Sequence, residues 1–300
     1  MEGEGITEAT ADKPTLTANM VAIPGGTFRM GSERFYPEER PGRRVAVDGF
    51  SIDRGPVTVS EFRRFVDATG YVTVAERPLE PADFAGADPA MLVPGSLVFR
   101  KTDGPVDLRD VLQWWDYKPG ATWRDGPDDH PVTHVAFEDA ETFAAWAGKD
   151  LPTEAEWEFA ARGGLEDAVF AWGDEHAPGD RPMANTWQGE FPWQNLLTDG
   201  YEGTSPVGAF PANGYGLFDV TGNVWEWTGD LFDAGSSPNK PCCVPPSPEI
   251  ARRVIKGGSH LCAPNYCLRY RPAARQAEGV DTSTQHIGFR CIARDFIPNG

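Results

Sequence analysis

Two cysteines five residues apart are the strongest candidates for chemistry in this sequence. Cys262 and Cys267 flank Ala263-Pro264-Asn265-Tyr266, and the Pro-Asn pair within it is typical of tight turns. A turn there would bring the two thiols together. Paired thiolates are soft ligands that suit Cu(I), which accepts few ligands and leaves space for a substrate thiolate. The spacing is also compatible with a short disulfide loop or with two buried thiols.

Three arginines follow the cysteine pair, at Arg269, Arg271 and Arg275. Positive charge beside a thiol lowers its pKa and increases its thiolate fraction. The remaining cysteines do not complete a zinc site, because Cys242 and Cys243 are adjacent, whereas zinc sites space such pairs as Cys-x-x-Cys. We expect that adjacent pair to lie in a loop without a catalytic role.

Oxygen ligands for a hard cation are plentiful between residues 185 and 226. Asn185, Asp199, Asp219 and Glu226 lie among Gly-rich turns, where backbone carbonyls are available as further ligands. Calcium accepts six to eight oxygens in irregular loops. No EF-hand spacing occurs, so solvated turn residues explain this pattern equally well.

His130 and His134 have a spacing that would place both on one face of a helix, as in some metal sites. Pro131 disfavours helical geometry at the residue before it. The apolar residues Val132, Val135 and Phe137 indicate a strand instead, so we expect both histidines to be structural.

Local signals predict three helices and three strands around these residues. Capping boxes at Thr58–Glu61 and Thr153–Glu156 begin two of the helices, and Gly163-Gly164 ends the latter. A helix between them should run from about Glu138 to Ala147. Besides the strand across 132–137, the expected strands are 20–24, 45–47 and 50–52. No strong helical period follows Trp172.

Composition narrows the class of protein. The 300 residues include 45 acidic and 27 basic side chains, for a net charge of −18, which disfavours binding to nucleic acid or to anionic membranes. No run approaches the ~20 apolar residues that span a bilayer, and the first 20 residues lack a signal-peptide pattern. We expect a cytoplasmic protein without a disulfide framework, since five cysteines is an odd number.

The organisation along the chain predicts one domain. Residues 1–19 are expected to form a flexible acidic tail. Residues 20–297 should form a single catalytic domain, with 78–129 as an irregular insertion. The 33 glycines and 27 prolines predict that loops outweigh helices and strands.

Several motifs together resemble the formylglycine-generating enzymes, also called sulfatase-modifying factors. The similar segments are 23–31, 151–158, 185–189, 213–217, 222–227 and 288–291. Residues 257–271 also resemble the family pattern Gly-Gly-Ser-x-x-Cys-x-x-x-Tyr-Cys-x-Arg-Tyr-Arg, whose cysteines non-catalytic paralogues lack. The resemblance covers about residues 20–295.

This resemblance implies an α+β fold related to C-type lectins, loop-rich and low in regular secondary structure. It implies an oxidase that uses O₂ to convert a cysteine in a Cys-x-Pro-x-Arg segment of an unfolded sulfatase polypeptide to Cα-formylglycine. Cys262 and Cys267 would hold Cu(I), with Ser259 as a supporting polar group. The substrate pocket would contain Trp172, Trp225, Tyr266 and His286. The enzyme would be a monomer.

The resemblance also implies two structural calcium ions. One site would use Asn185, Thr186, Asp199 and Tyr201, and the other would use Asp219, Gly222, Val224 and Glu226.

The sequence departs from the family at a few positions. Asp219 and His286 each replace an asparagine that is common in the family. Pro272 and Ala161 stand where vertebrate members have cysteine, which leaves Cys291 as a buried thiol.

Two alternative functions remain at this point. One is a non-catalytic, lectin-like module that binds peptide or sugar. The other is a non-haem iron oxygenase of the same superfamily, which would need two histidines and a carboxylate facing one position.

Overall fold

Regular structure occupies a small part of the chain, as the glycine and proline content predicts. The computed structural model describes residues 19–79, 86, 92–233 and 250–294. The described strands are β1 Met20–Ile23, β2 Gly26–Met30, β3 Arg43–Val47, β4 Phe50–Asp53, β5 Gly95–Phe99, β6 Trp115–Pro119, β7 Trp225–Leu231, β8 Arg252–Lys256, β9 Arg275–Gly279, β10 Ile287–Gly288 and β11 Ile292–Ala293. The described α-helices are α1 Val59–Thr69, α2 Phe137–Trp146 and α3 Glu154–Arg162.

The helices begin and end where the capping residues predict. The side chain of Thr58 accepts a hydrogen bond from the backbone N–H of Glu61, and Thr153 begins α3 in the same way. Both helices end at a glycine in the left-handed conformation, Gly70 at φ 67° and Gly163 at φ 57°. These two predicted helices are confirmed.

The strand expected across Val132–Phe137 is wrong. Only Pro131 forms an isolated bridge there, with Thr58, and α2 already begins at Phe137. The Asp139 carboxylate accepts the N–H of Ala136 at 2.8 Å and so caps the start of the helix. The apolar alternation reflects burial of an irregular segment in the core.

Two of the sheets carry the segments around the cysteines. The larger has the order β10-β7-β8-β9, in which β8 is antiparallel to β7 and β9 while β10 is parallel to β7. The second has the order β1-β4-β11, and β2-β3 and β5-β6 form two-stranded ribbons. Because β8 ends at Lys256, the cysteine segment follows the larger sheet directly in the chain.

A network of buried charges anchors the end of β8. Lys256 is fully buried, and its ammonium lies 2.9 Å from the Glu158 carboxylate and 3.7 Å from that of Glu154, both on α3. Arg162 donates to Glu158 from the same helix at 2.7 Å. Opposite charges compensate one another here, so removing one partner would leave a buried charge unpaired.

Tryptophans from the segment expected as an insertion pack inside the core. Trp123 is fully buried with α1 and α2, and its ring meets that of Phe62 at 5.2 Å. Trp114 and Trp115 pack in a separate cluster with Trp187 and Phe191. The segment 78–129, where described, therefore contributes to the interior and to one wall of the site below.

None of the described helices has both the length and the apolar character that crossing a membrane requires. The predicted 1–18 part of the tail, the Cys242-Cys243 pair and residues 295–297 lie outside the described residues.

Candidate active site

A tight turn holds the two cysteines face to face. The backbone N–H groups of Tyr266 and Cys267 both donate to the carbonyl of Ala263, at 3.1 and 2.8 Å. This turn places the sulfurs of Cys262 and Cys267 3.2 Å apart. A disulfide would need about 2.05 Å, so both residues remain thiols. Both are buried, at 2% and 4% exposure.

Glycines allow the chain to cross itself just before the turn. Gly258 has φ +70°, and a Cβ there would lie 2.8 Å from backbone atoms of Arg269 and Tyr270. Any side chain would therefore push apart the two segments that flank the cysteines. The close crossing keeps both ends of the cysteine segment in register.

The surroundings favour the thiolate form of Cys267. The pKa of Cys267 is lowered to about 7. The hydrogen bond from Cys262 contributes most to the lowering, the positive charges of Arg269 and Arg271 add to it, and burial opposes it. Of the three arginines expected to act here, Arg275 instead pairs with Glu154 at 2.7 Å. Cys267 is therefore a better nucleophile and metal ligand than an ordinary thiol.

Cys291 has the opposite environment. It is fully buried, and burial together with the negative charge of Asp53 raises the pKa of its thiol well above the ordinary value. It forms no disulfide. This thiol is inert at neutral pH.

A segment from the first part of the chain positions the two arginines. Arg269 lies 4.1 Å over the ring of Tyr36 and pairs with Glu38, while Arg271 pairs with Glu39. The hydroxyl of Tyr36 also accepts the N–H of Leu268 at 3.0 Å. Sequence reasoning missed this support, since more than 200 residues separate the partners and no local pattern links them.

An aromatic cavity of about 10 Å³ opens onto the cysteine pair. Its lining residues are Trp114, Trp115, Phe191, Trp225, Ser259, Leu261, Cys262, Tyr266, Cys267 and His286. Of the expected pocket residues, Trp225, Tyr266 and His286 line this cavity. Trp172 is not among them and lines two neighbouring cavities instead.

Sequence reasoning missed three of the aromatic walls. Phe191 stacks on Tyr266 with ring centres 4.7 Å apart, Trp114 meets Tyr266 edge-on at 5.4 Å, and Trp115 packs on His286 at 4.8 Å. The consecutive tryptophans at 114 and 115 were the available signal. Together these rings exclude water from the sulfurs.

The histidine in this cavity is neutral. Burial, with the nearby His260 and His134, lowers the pKa of His286 well below the ordinary value. Its Nδ1 lies 2.5 Å from the hydroxyl oxygen of Thr284. His130 lies elsewhere, bonded to Thr204 at 2.8 Å. Within the described part of the chain, no three His, Cys, Asp or Glu side chains converge to hold a metal ion, so the iron triad is not found there.

In the first expected calcium site, the Asp199 carboxylate contacts the backbone of two other expected residues. Asp199 accepts the backbone N–H of Thr186 at 3.2 Å and that of Tyr201 at 3.0 Å. The side-chain oxygen of Asn185 is buried and has no hydrogen-bond partner. A buried oxygen without a hydrogen-bond partner fits a bound cation, which would satisfy it.

The second expected site fits less well. Both carboxylate oxygens of Glu226 accept from Arg290 at 2.7 Å, and one also accepts from the indole of Trp157 at 2.7 Å. Asp219 accepts the backbone N–H of Gly208 at 2.7 Å. Since Glu226 already pairs with Arg290 and accepts three N–H groups, it has little capacity left for a cation, and Gly222 and Val224 would supply backbone carbonyls.

Comparison with known proteins gives a consistent assignment. Residues 6–295 match the model of the FGE-sulfatase family, described as the sulfatase-modifying factor enzyme 1-like domain. The chain is 55% identical over 296 residues to the formylglycine-generating enzyme of Mycobacterium tuberculosis, covering 93% of this chain and 98% of that one. It is 38% identical to the inactive Cα-formylglycine-generating enzyme 2 of Bos taurus, covering 95% and 91%.

A solved structure, that of PvdO from Pseudomonas aeruginosa, has a TM-score of 0.60 and 25% identity, covering 92% of this chain and 94% of that one. The expected α+β, loop-rich fold is thereby confirmed.

Proposed function

The chain belongs to the family of formylglycine-generating enzymes, and on this premise we propose that it oxidises a cysteine of a sulfatase polypeptide to Cα-formylglycine. The observation that carries the proposal is the pair Cys262 and Cys267, whose sulfurs face each other at 3.2 Å below an aromatic cavity. The lowered pKa of Cys267 supports it, because a thiolate is the form that binds metal and exchanges with other thiols.

The proposed substrate is an unfolded segment with the pattern Cys-x-Pro-x-Arg. Because both sulfurs are buried, only an extended, flexible stretch of chain can bring its own thiol to them. The cavity has almost no free volume, so its aromatic walls must separate to admit a cysteine side chain. Trp225 and Tyr266 would then pack against the substrate and keep water out.

The donor set fits copper in kind, since two soft thiols face each other and one is acidified. Held by Cys262 and Cys267, Cu(I) would bind the substrate thiolate and supply the activation of O₂. The chain itself would orient the reactants. The backbone N–H of Ser259 donates to the sulfur of Cys262 at 3.4 Å and fixes its direction. Because the ring of His286 is uncharged, it does not repel a copper ion held by the two cysteines.

The net reaction replaces the CH₂–SH group of the substrate cysteine with CH=O and releases sulfide. If O₂ is reduced to water, the conversion consumes two electrons and two protons beyond those that the substrate provides. A thiol reductant is the proposed source.

We also propose one structural calcium ion, at Asn185, Thr186, Asp199 and Tyr201. The orphaned oxygen of Asn185 supports this site. Glu226, which already pairs with Arg290, gives no such support to the second.

A non-catalytic binding module is the alternative, favoured by the 38% identity to a relative that is named inactive. A synthetic Cys-x-Pro-x-Arg peptide separates the two functions. With Cu(I), a thiol reductant and O₂, we expect mass spectrometry to find aldehyde in this peptide and none when its cysteine is replaced by serine. Tight peptide binding without aldehyde, in copper-loaded and folded protein, would favour the binding module.

A further inference from the structure

Tyr270 connects the cysteine pair to a stack of aromatic rings. It is buried in the same core cluster as Cys262 and Cys267. The ring stacks on Phe170 with centres 5.9 Å apart and planes within 10°. Phe170 in turn stacks on Trp172 at 5.0 Å and 4°.

The hydroxyl of Tyr270 has a base beside it. The oxygen lies 3.2 Å from Nε2 of His176, whose side chain is exposed. When His176 carries its proton on Nδ1, the hydroxyl donates to Nε2. A tyrosine that loses an electron must also lose its proton, and this contact provides the acceptor.

The outer end of the stack is accessible. Trp172, His176 and Tyr270 all line a cavity of about 290 Å³. Trp172 is half-buried, and its indole N–H donates to the carbonyl of Glu175 at 2.8 Å. A small thiol could reach this end of the stack without entering the cavity at the cysteines.

A cysteine pair that handles O₂ is at risk of over-oxidation, and such a path would protect it. A one-electron-oxidised cysteine reacts with O₂ and can proceed to sulfinic and sulfonic acids, which are not recovered without dedicated repair.

We propose that Tyr270 is a redox relay that returns an electron to the oxidised cysteine pair, with His176 taking the proton and Trp172 as the outer station. In the first step a thiyl of the pair, formed when one electron of a thiolate passes to O₂, gains an electron and becomes a thiolate again, while Tyr270 becomes a neutral radical and His176 an imidazolium. In the second step an external thiolate gives one electron through Trp172, and the proton returns from His176 to Tyr270. Two such thiyl products combine into a disulfide. The inference rests on the proposed function only in that the cysteine pair handles O₂.

The test uses the full chain without copper or peptide, so its result is independent of whether aldehyde is formed. A ruthenium polypyridyl photo-oxidant in air would oxidise the protein by one electron at a time. The readouts are the low-temperature electron paramagnetic resonance spectrum and the mapped fraction of Cys267 as sulfinic or sulfonic acid. Tyr270→Phe is compared with Tyr215→Phe, which makes the same change at a ring packed on Phe159 at 6.2 Å.

We expect Tyr270→Phe to lose a tyrosyl signal that Tyr215→Phe retains, and to accumulate several-fold more over-oxidised Cys267. His176→Gln should weaken the signal, and Trp172→Phe should prolong its lifetime once the oxidant is removed. Because His176 is exposed, His176→Gln keeps the test decisive if Tyr270→Phe unfolds. Equal spectra and equal cysteine oxidation in all variants would overturn the proposal.

Discussion

The backbone N–H of Trp187 donates a hydrogen bond to the carbonyl of Cys262 across 3.1 Å. This contact ties the loop with the proposed calcium ligands directly to the cysteine segment. Asn223 adds a second connection, because its N–H donates to the carbonyl of Asn185 at 2.8 Å while its own carbonyl accepts from His260 at 2.9 Å. Ordering of this loop should therefore also order the cysteine segment of the active site.

Calcium should stabilise the protein through Asn185. A saturating cation at about 100 times its Kd contributes about 2.7 kcal/mol, which for a chain of this length raises Tm by about 5 °C. Calorimetry in calcium against a chelator measures this increment. Asn185→Leu should abolish it. Asn213→Leu removes an amide oxygen that already accepts two N–H groups, so it should lower Tm but keep the increment. The same Tm with and without calcium in the wild type would contradict the site.

The alkylation rate of Cys267 should report its lowered pKa. Since the thiolate is the reactive form, the rate should rise through about pH 7. Arg269→Gln removes a charge that lowers this pKa, and the midpoint should move up by about 1 unit. Arg275→Gln is the matched control, because that arginine pairs with Glu154. Peptide mapping after timed alkylation resolves the two cysteines. Identical midpoints in both variants would refute this electrostatic account.

Lys256→Met should destabilise the fold strongly. It leaves Glu158 paired with Arg162 and Glu154 paired with Arg275, but it removes the buried hydrogen bond between the ammonium and Glu158, at a cost of about 1.5–3 kcal/mol. Arg294→Met also breaks ion pairs, but its side chain is 44% exposed, so the loss should stay below about 1 kcal/mol. Urea unfolding measures both. Similar losses in the two variants would show that burial does not govern these pairs.

Asp139 should make stability depend on pH. Burial raises its pKa to about 6, although three donors, from Ala136, Val74 and Tyr71, oppose the shift. The folded state therefore holds the proton more tightly than the unfolded chain. The stability from this group is full below the unfolded pKa, near 4, and is lost as pH rises through about 6.

Asp139→Asn removes that dependence. The free energy of unfolding of the wild type minus that of the variant should fall by about 2–3 kcal/mol between pH 4 and 7.5. Urea titrations at several pH values provide the difference. A difference that grows with pH would mean that the carboxylate is stabilised in its charged form.

The sequence predicted those features that depend on neighbouring residues. Helices α1 and α3 follow from their capping boxes, and the approach of Cys262 to Cys267 follows from the turn between them. Both are decided within a few residues. The wrong strand at 132–137 shows the limit of periodicity, since residues buried on all sides imitate alternation.

The walls and electrostatics of the site were beyond local reasoning. Phe191 and Trp114 pack on Tyr266, although both are far from it in sequence. Glu38 pairs with Arg269 at a separation of 231 residues. The pairing of Glu226 with Arg290, which weakens the second calcium site, is likewise non-local. Only the folded arrangement decides which of several charged residues meet.

The most direct test of the central claim compares three cysteine variants in the peptide assay. With copper, reductant and O₂, the wild type and Cys291→Ser should both form aldehyde, because the Cys291 thiol is buried and takes no part. Cys262→Ser and Cys267→Ser should form none while keeping the fold and binding peptide. Aldehyde formation by either of these two variants at the wild-type rate would contradict the assignment of the cysteine pair as the reaction centre.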